Sequence, residues 1–285
     1  MVLRVGLMIW AALLGMSLLA QSIGQWRRGD VLAFASLRTG NSEIYLLDMN
    51  TRMCINLTRS ISEDSHPTWS PDGRQLAFVS NRRANNDVYI YDFDSDQMRN
   101  ISLNEQIDNY PTWAADGRLA YVTNLGSGVM LRVFADGAAQ DVMPLHDVGD
   151  LAWASIGLAY SSYAYGSYDV YVLDTSSREI RNVTNSGSED FSPSWSADGR
   201  WLAFTSSRHG NPEIYLLELT SGDTRQMTTY AGADDNAVWS PDGRRLAFET
   251  YRDGNAEIYV MDVQTGAVWN VTQHWAHDYD AAWMP

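Results

Sequence analysis

One unit recurs six times along this chain, and that recurrence leaves few folds open. The tripeptide Leu-Ala-Phe/Tyr begins at Leu32, Leu76, Leu119, Leu158, Leu202 and Leu246, at successive spacings of 44, 43, 39, 44 and 44 residues. Trp69, Trp113, Trp153, Trp195, Trp239 and Trp283 keep step with it. So does an acidic residue before an apolar-Tyr pair, as Glu43-Ile44-Tyr45, Asp87-Val88-Tyr89, Asp169-Val170-Tyr171, Glu213-Ile214-Tyr215 and Glu257-Ile258-Tyr259. Three markers in phase mean one supersecondary unit copied in series.

Each copy reads as four short strands. Trp69-Ser70 belongs to the first, Pro71-Asp72-Gly73 is a tight turn, Gln75 to Ser80 is the second strand, Val88 to Asp92 the third and Arg99 to Ser102 the fourth. Pro early in the turn and Gly after Asp supply the dihedrals such turns demand. The runs rich in Val, Ile, Tyr and Phe suit sheets packed on both faces. Four-stranded units of this length repeated around an axis predict an all-β, six-bladed β-propeller over residues 29–285. The first unit starts at Val31 with no Trp strand before it, and the chain ends in a Trp strand, Ala281 to Pro285, with nothing after it. Pairing the two in a single blade closes the ring and removes its open edges.

At this level of detail the chain resembles a known family. Trp69-Ser70-Pro71-Asp72-Gly73 and Trp239-Ser240-Pro241-Asp242-Gly243, followed by Leu-Ala-Phe and then an acidic-apolar-Tyr triplet, look like the WD-like repeats of TolB-type propellers. The resemblance covers residues 30 to 285 and implies a bacterial propeller facing the periplasm or cell exterior that mainly binds proteins. The separate α/β domain of that family, and the hydrolase domain of prolyl-peptidase relatives, have no counterpart in the repeat region.

Residues 1–28 carry Arg4 and then an apolar stretch from Val5 to Ala20, with no charge until Arg27. As a helix this stretch alone would span about 24 Å, short of a hydrocarbon core of roughly 30 Å, and continuing to Trp26 makes it long enough. It reads either as one hydrophobic helix anchoring the chain in the membrane or as a cleaved signal peptide, with small-x-small sites near Ala20 and Ser22. Both readings export the propeller: membrane-anchored toward the periplasm or exterior in one case, secreted in the other. The formal charge of −15, from 20 Arg plus Lys against 35 Asp plus Glu, excludes nucleic acid as a partner, since phosphate contacts need clustered cations. The single cysteine, Cys54, lies in an apolar run and reads as a buried thiol.

Candidate site residues come from the same phase analysis. Asp64, Asp108, Asp190, Asp234 and Asp278 each stand five residues before the repeat Trp, with Val148 there in the fourth unit and Asp147 and Asp150 beside it. Rotational symmetry places these carboxylates around one mouth of the channel. Two carboxylates ~8 Å apart repel by about 0.5 kcal/mol in water and roughly 2 kcal/mol at an effective dielectric near 20, so the ring needs compensation. Either the Asp residues cap turns in the repeat consensus, or they hold a cationic ligand or a divalent cation such as calcium. Arg38, Arg82, Arg208 and Arg252 lie five residues before Glu43, Asp87, Glu213 and Glu257, an offset that predicts a loop-to-strand ion pair between them. Units three and four lack this Arg. Unit four carries a Tyr/Ser/Gly loop instead, so Tyr163, Tyr165 and Tyr168, with Trp275 and His277 on the same face, form the expected recognition patch. The Asn-x-Ser/Thr sites at Asn56, Asn100, Asn182 and Asn270 keep the repeat phase and read as consensus rather than glycan acceptors.

No Gly-x-Ser-x-Gly elbow, His-Glu-x-x-His or Cys-x-x-Cys pair occurs. The expected function is therefore an exported, membrane-tethered, non-catalytic and monomeric propeller without cofactor, binding a protein or an envelope polymer through its acidic and aromatic channel mouth. The alternative is a metal-dependent lyase or hydrolase using His66, His146, His274 or His277, which all fall in loops before a first strand.

Overall fold

The computed structural model describes residues 28–164 and 166–285. The predicted N-terminal helix falls on residues outside that range. The described residues form 24 strands, numbered here in chain order from β1 (Val31–Ser36) to β24 (Asp278–Trp283), and no helix. They make six sheets of four antiparallel strands each. Blade two shows the unit: β4 (Asp64–Trp69) is innermost, followed outward by β5 (Gln75–Ser80), β6 (Asp87–Asp92) and β7 (Gln97–Asn100). In blade one the innermost strand is β24, which pairs antiparallel with β1 in the register Leu32↔Trp283 and Ser36↔Asp278.

The first and fourth strands end earlier than the sequence expectation, each for a local reason. Trp69 ends the inner strand rather than starting it, because Ser70 already belongs to the turn. Its hydroxyl donates to Asp72 at 2.7 Å and accepts the Gln75 N–H at 2.9 Å. The outer strand stops at Asn100 because that side chain accepts the N–H groups of Ser102 and Leu103 at 3.0 and 2.9 Å. Ser102 Oγ then accepts the Val88 N–H at 3.0 Å, so the Asn-x-Ser motif is a turn clamp on the neighbouring strand.

The Leu-Ala-Phe marker follows from the alternation of side chains along a strand between two neighbours. Leu32 and Phe34 point toward blade six and pack with Ala247, Ile258 and Val260. Ala33 points toward blade two, where Trp69, Leu76 and Phe78 press against it. A small residue on one face makes room for the next blade's large ones, as close packing requires. The repeat Trp stitches the same seam: the indoles of Trp113, Trp195 and Trp283 donate to Thr68, Ala152 and Val238 carbonyls of the preceding blade at 3.2, 3.1 and 3.1 Å. Cys54 departs from its expected burial. It opens the short outermost strand β3 (Cys54–Asn56), where no further blade strand covers it, and is exposed.

Candidate functional site

The inner strands all begin at the face formed by the loops before them and the loops linking second to third strands, here the loop face. They end at the opposite turn face. The first ordered carboxylates on this path are Asp64, Asp108, Asp190, Asp234 and Asp278, and each is fully buried. Arg82 binds Asp64 with two contacts of 2.9 and 3.0 Å, and Arg38, Arg208 and Arg252 bind Asp278, Asp190 and Asp234 in the same way. The predicted pairing of these arginines with Glu43, Asp87, Glu213 and Glu257 is thus corrected. The loop folds back over the inner strand of its own blade, and the guanidinium lies over two aromatic rings, Phe78 and Tyr89 for Arg82 at 5.6 and 4.8 Å. Glu213 and Glu257 instead accept the hydroxyls of Thr228 and Thr272. In blade three, where the Arg is missing, Thr123 and Asn104 hold Asp108. Burial pushes the Asp64 and Asp108 carboxyls above the usual range.

Two residues further on, each inner strand bulges. The pairing shifts register between Ser65 and Thr68, and at the matching place in the other five blades. Five of the bulged residues take a left-handed conformation: His66, Tyr110, Ser192, Asn236 and Asp280, with φ of 51, 55, 49, 51 and 53°. Non-glycine residues rarely adopt it, and such strain concentrates where side chains must be aimed. In blade four the place is taken by Asp150, after Gly149. The six residues stand at one offset, three before the repeat Trp, and all line the central channel. From this ring to the turn face the channel holds a cavity of about 660 Å³ walled by the inner-strand tryptophans and turn residues such as Pro71, Pro241 and Pro285.

Buried carboxylates gather around Asp280. Asp280 accepts the His66 N–H at 3.0 Å and the Asn236 amide at 3.2 Å, and its own N–H donates to Glu249 at 2.8 Å. The His66 ring lies 3.5 Å from Asp280 and meets Tyr110 edge-on at 5.1 Å. Asp235 faces Glu249 across the strand pair, and its Oδ1 is buried without a partner. Burial, then the neighbouring Asp234, Asp150 and Asp280 charges, push Asp235 up to about 6. Burial and the charges of Asp280 and Asp235 hold Glu249 well above the usual range. Burial likewise raises Asp150, which accepts the Ser192 hydroxyl at 2.8 Å. Reasoning from sequence missed this ring apart from His66 and Asp150, which it noted for other reasons. Its signal was available: one offset from Trp that is always polar and varies from blade to blade.

The predicted recognition residues lie on the loop face. Tyr163 is exposed and meets the half-buried Tyr168 edge-on at 5.3 Å across a hairpin. Tyr165 lies outside the described residues. Trp275 is 78% exposed, and His277, which accepts the Ala256 N–H at 3.1 Å, lies 6.3 Å from the Tyr251 ring. Other large apolar side chains are exposed on this face too, led by Ile61 at 99% and Leu103 at 63%. The histidines do not converge: His146 is in solvent, His274 accepts the Ala276 N–H in its own loop, and only His66 reaches the ring. Among the described residues no three His, Cys, Asp or Glu side chains are placed to hold a metal ion.

The sequence profile of the TolB beta propeller domain matches residues 26–145 and 152–239. The chain belongs to the TolB β-propeller family. No curated protein matches it in sequence. Among solved structures it is similar to TolB from Acinetobacter baumannii, at 16% identity and a TM-score of 0.81 over 90% of this chain and 67% of that one. It is also similar to a putative TolB from Agrobacterium tumefaciens, at 17% identity and a TM-score of 0.71 over 89% of this chain and 98% of that one. A more distant likeness is an oligogalacturonate lyase in complex with manganese, at 18% identity and a TM-score of 0.61 over 87% of this chain and 75% of that one. At these identities the likeness is one of fold.

Proposed function

We propose that this TolB-family propeller is a non-catalytic binding protein, exported and held at the membrane by its N-terminal segment, that takes a protein partner on its loop face. The observation that carries the reading is the uneven distribution of exposed apolar side chains. Ile61, Leu103, Leu125, Tyr163, Tyr230, Tyr251 and Trp275 all lie at the loop-face ends of the blades, whereas the connections on the turn face expose two such residues, Met53 and Ile156. A scattered exposed apolar residue needs no explanation, but a set gathered on one face marks an interaction surface. Aromatic anchors such as Trp275 and Tyr163, with His277 beside them, suit the centre of such a contact. The buried Asp–Arg pairs beneath them stiffen the loops that present them.

Orientation supports the same reading. Gly29 donates to the Met284 carbonyl at 2.9 Å and Arg28 to that of Asp72 at 2.6 Å, so the chain enters the propeller at the turn face. A membrane segment before it would leave the loop face turned outward. Photocrosslinking side chains placed singly at Ile61, Trp275 and Ile156 in cells test the assignment. Protein adducts are expected from the first two positions and none from Ile156. Equal adducts from both faces, or none from the loop face, would overturn it. A propeller recovered from the cytoplasm on fractionation would refute export.

A further inference from the structure

On the turn side of the molecule, the seam between blades three and four lacks an apolar side chain that fills four of the other seams. In blades one, two, five and six the third strand ends in an acidic residue followed by a large apolar one: Asp48-Met49, Asp92-Phe93, Glu218-Leu219 and Asp262-Val263. Each of these apolar side chains packs into the seam that holds its own blade's Trp, and Phe93 stacks on Trp69 at 5.1 Å. Blade three has Ala135-Asp136 at this place and blade four Asp174-Thr175. Thr175 fills less volume, and beside it and Trp153 lies a cavity of about 290 Å³. Its floor is apolar, made by the buried Ala120, Leu131, Leu158 and Leu173. Its exposed rim carries two cations, Arg118 and Arg178, with Gln140 and Thr175.

The charges on that rim are not balanced. Asp141, the one carboxylate of the lining, is held by Arg132 at 2.7 Å. Arg118 binds Asp116 at 2.9 Å while its guanidinium covers the Trp153 ring at 5.0 Å. The Arg178 guanidinium has no ion-pair partner among the described residues. An apolar slot of this size has room for about ten water-sized groups, at roughly 30 Å³ each. Water gains little there, for the floor offers it no side-chain hydrogen-bonding group. A chain of about ten carbons fills the slot, and a carboxylate at its end meets Arg178.

We propose that the cleft between blades three and four binds an amphipathic monocarboxylate, such as a free medium-chain fatty acid, with its chain against Trp153 and its carboxylate on Arg178. This site is on the far side of the molecule from the loop face, so its fate is independent of the partner-binding reading. Calorimetric titration of the full chain with decanoate and with decanol tests it. Wild type is expected to bind one decanoate saturably. Thr175→Leu introduces the residue type of blades one, two, five and six, and it should abolish binding while raising Tm by about 2–4 °C, so that lost binding cannot be ascribed to lost fold. Arg178→Gln should weaken decanoate about tenfold and leave decanol unchanged. No saturable binding by wild type, or unaltered decanoate binding by Thr175→Leu, would overturn the site. Equal decanoate affinity with and without Arg178 would overturn its assignment to an acid.

Discussion

Blades one, two, five and six solve one packing problem in one way, and blades three and four solve it differently. In the regular four, an arginine from the loop reaches back to the buried aspartate that opens the inner strand, and its guanidinium lies over two neighbouring aromatic rings. Blade three keeps the aspartate and replaces the cation with neutral donors, Thr123 and Asn104. Blade four drops the aspartate for Val148 and lengthens its central hairpin to β13 (Gly157–Ala164) and β14 (Ser167–Leu173). The seam between these two blades also holds a cleft. The regular blades therefore supply rigidity, and the irregular pair supplies surface that differs from the rest. A ring closed on itself tolerates that division, since each blade is braced from both sides.

The contrast is sharpest at the repeat tryptophan. Trp69 is buried under Phe93, whereas Trp153 is half-exposed and borders the cleft. Trp69→Ala should cost about 4 kcal/mol, the usual toll for truncating a packed indole. Trp153→Ala should cost about 2 kcal/mol or less, since part of its surface already faces solvent. Urea unfolding of both variants checks this. Equal losses would mean that blades three and four are as tightly bound into the ring as the others.

The anchoring of the inner aspartate gives a second contrast. Arg82→Ala strands the Asp64 carboxylate in a site without solvent and should destabilise by about 3 kcal/mol. Asn104→Ala in blade three removes one of two neutral donors to Asp108 and should cost about 1–2 kcal/mol. Denaturant midpoints compared at constant m-value decide it. If the two variants lose the same amount, the guanidinium is no better a partner than an amide, and the sequence difference between the blades has no energetic meaning.

How far the sequence could be read depends on which residues repeat. Leu-Ala-Phe and the phased Trp are legible because every seam imposes the same small-against-large packing, so six copies announce the fold. The phased aspartates are equally visible, but their offset does not reveal their partner. Arg82 is nearer in sequence to Asp87 than to Asp64, and only the folded loop returns it to Asp64. The channel ring is harder still. Its members, His66, Tyr110, Asp150, Ser192, Asn236 and Asp280, share a position and polarity but no residue type common to all, so a search for recurring residues passes over them. Thr175 is hidden for the opposite reason. It matters as the exception to a pattern, Met49, Phe93, Leu219 and Val263, whose purpose is plain only once those side chains are seen beside their tryptophans.

The channel carboxylates and the turn aspartates also differ, which gives the smallest of the expected effects. Asp235 and Glu249 of blade six and Asp280 of blade one crowd together, with His66 of blade two beside Asp280 and Tyr110 of blade three beyond it. Raised folded pKa values mean that the fold prefers the protonated carboxyls. Their contribution is therefore largest in acid and declines as pH rises from the unfolded value near 4 through the value of about 6 for Asp235. Turn aspartates behave oppositely: the Ser196 hydroxyl and the Arg200 N–H hold Asp198 below the usual range, so its contribution is lost only as pH falls below about 4. Stability should accordingly peak near pH 4 and fall by roughly 1–2 kcal/mol toward pH 7. Asp235→Asn mimics the protonated carboxyl and should flatten that decline, whereas Asp94→Asn on the exposed surface should leave it in place. Chemical denaturation from pH 4.5 to 7.5 makes the comparison. A decline of the same size in Asp235→Asn would locate the pH dependence outside the channel, in the general repulsion of a chain with a formal charge of −15.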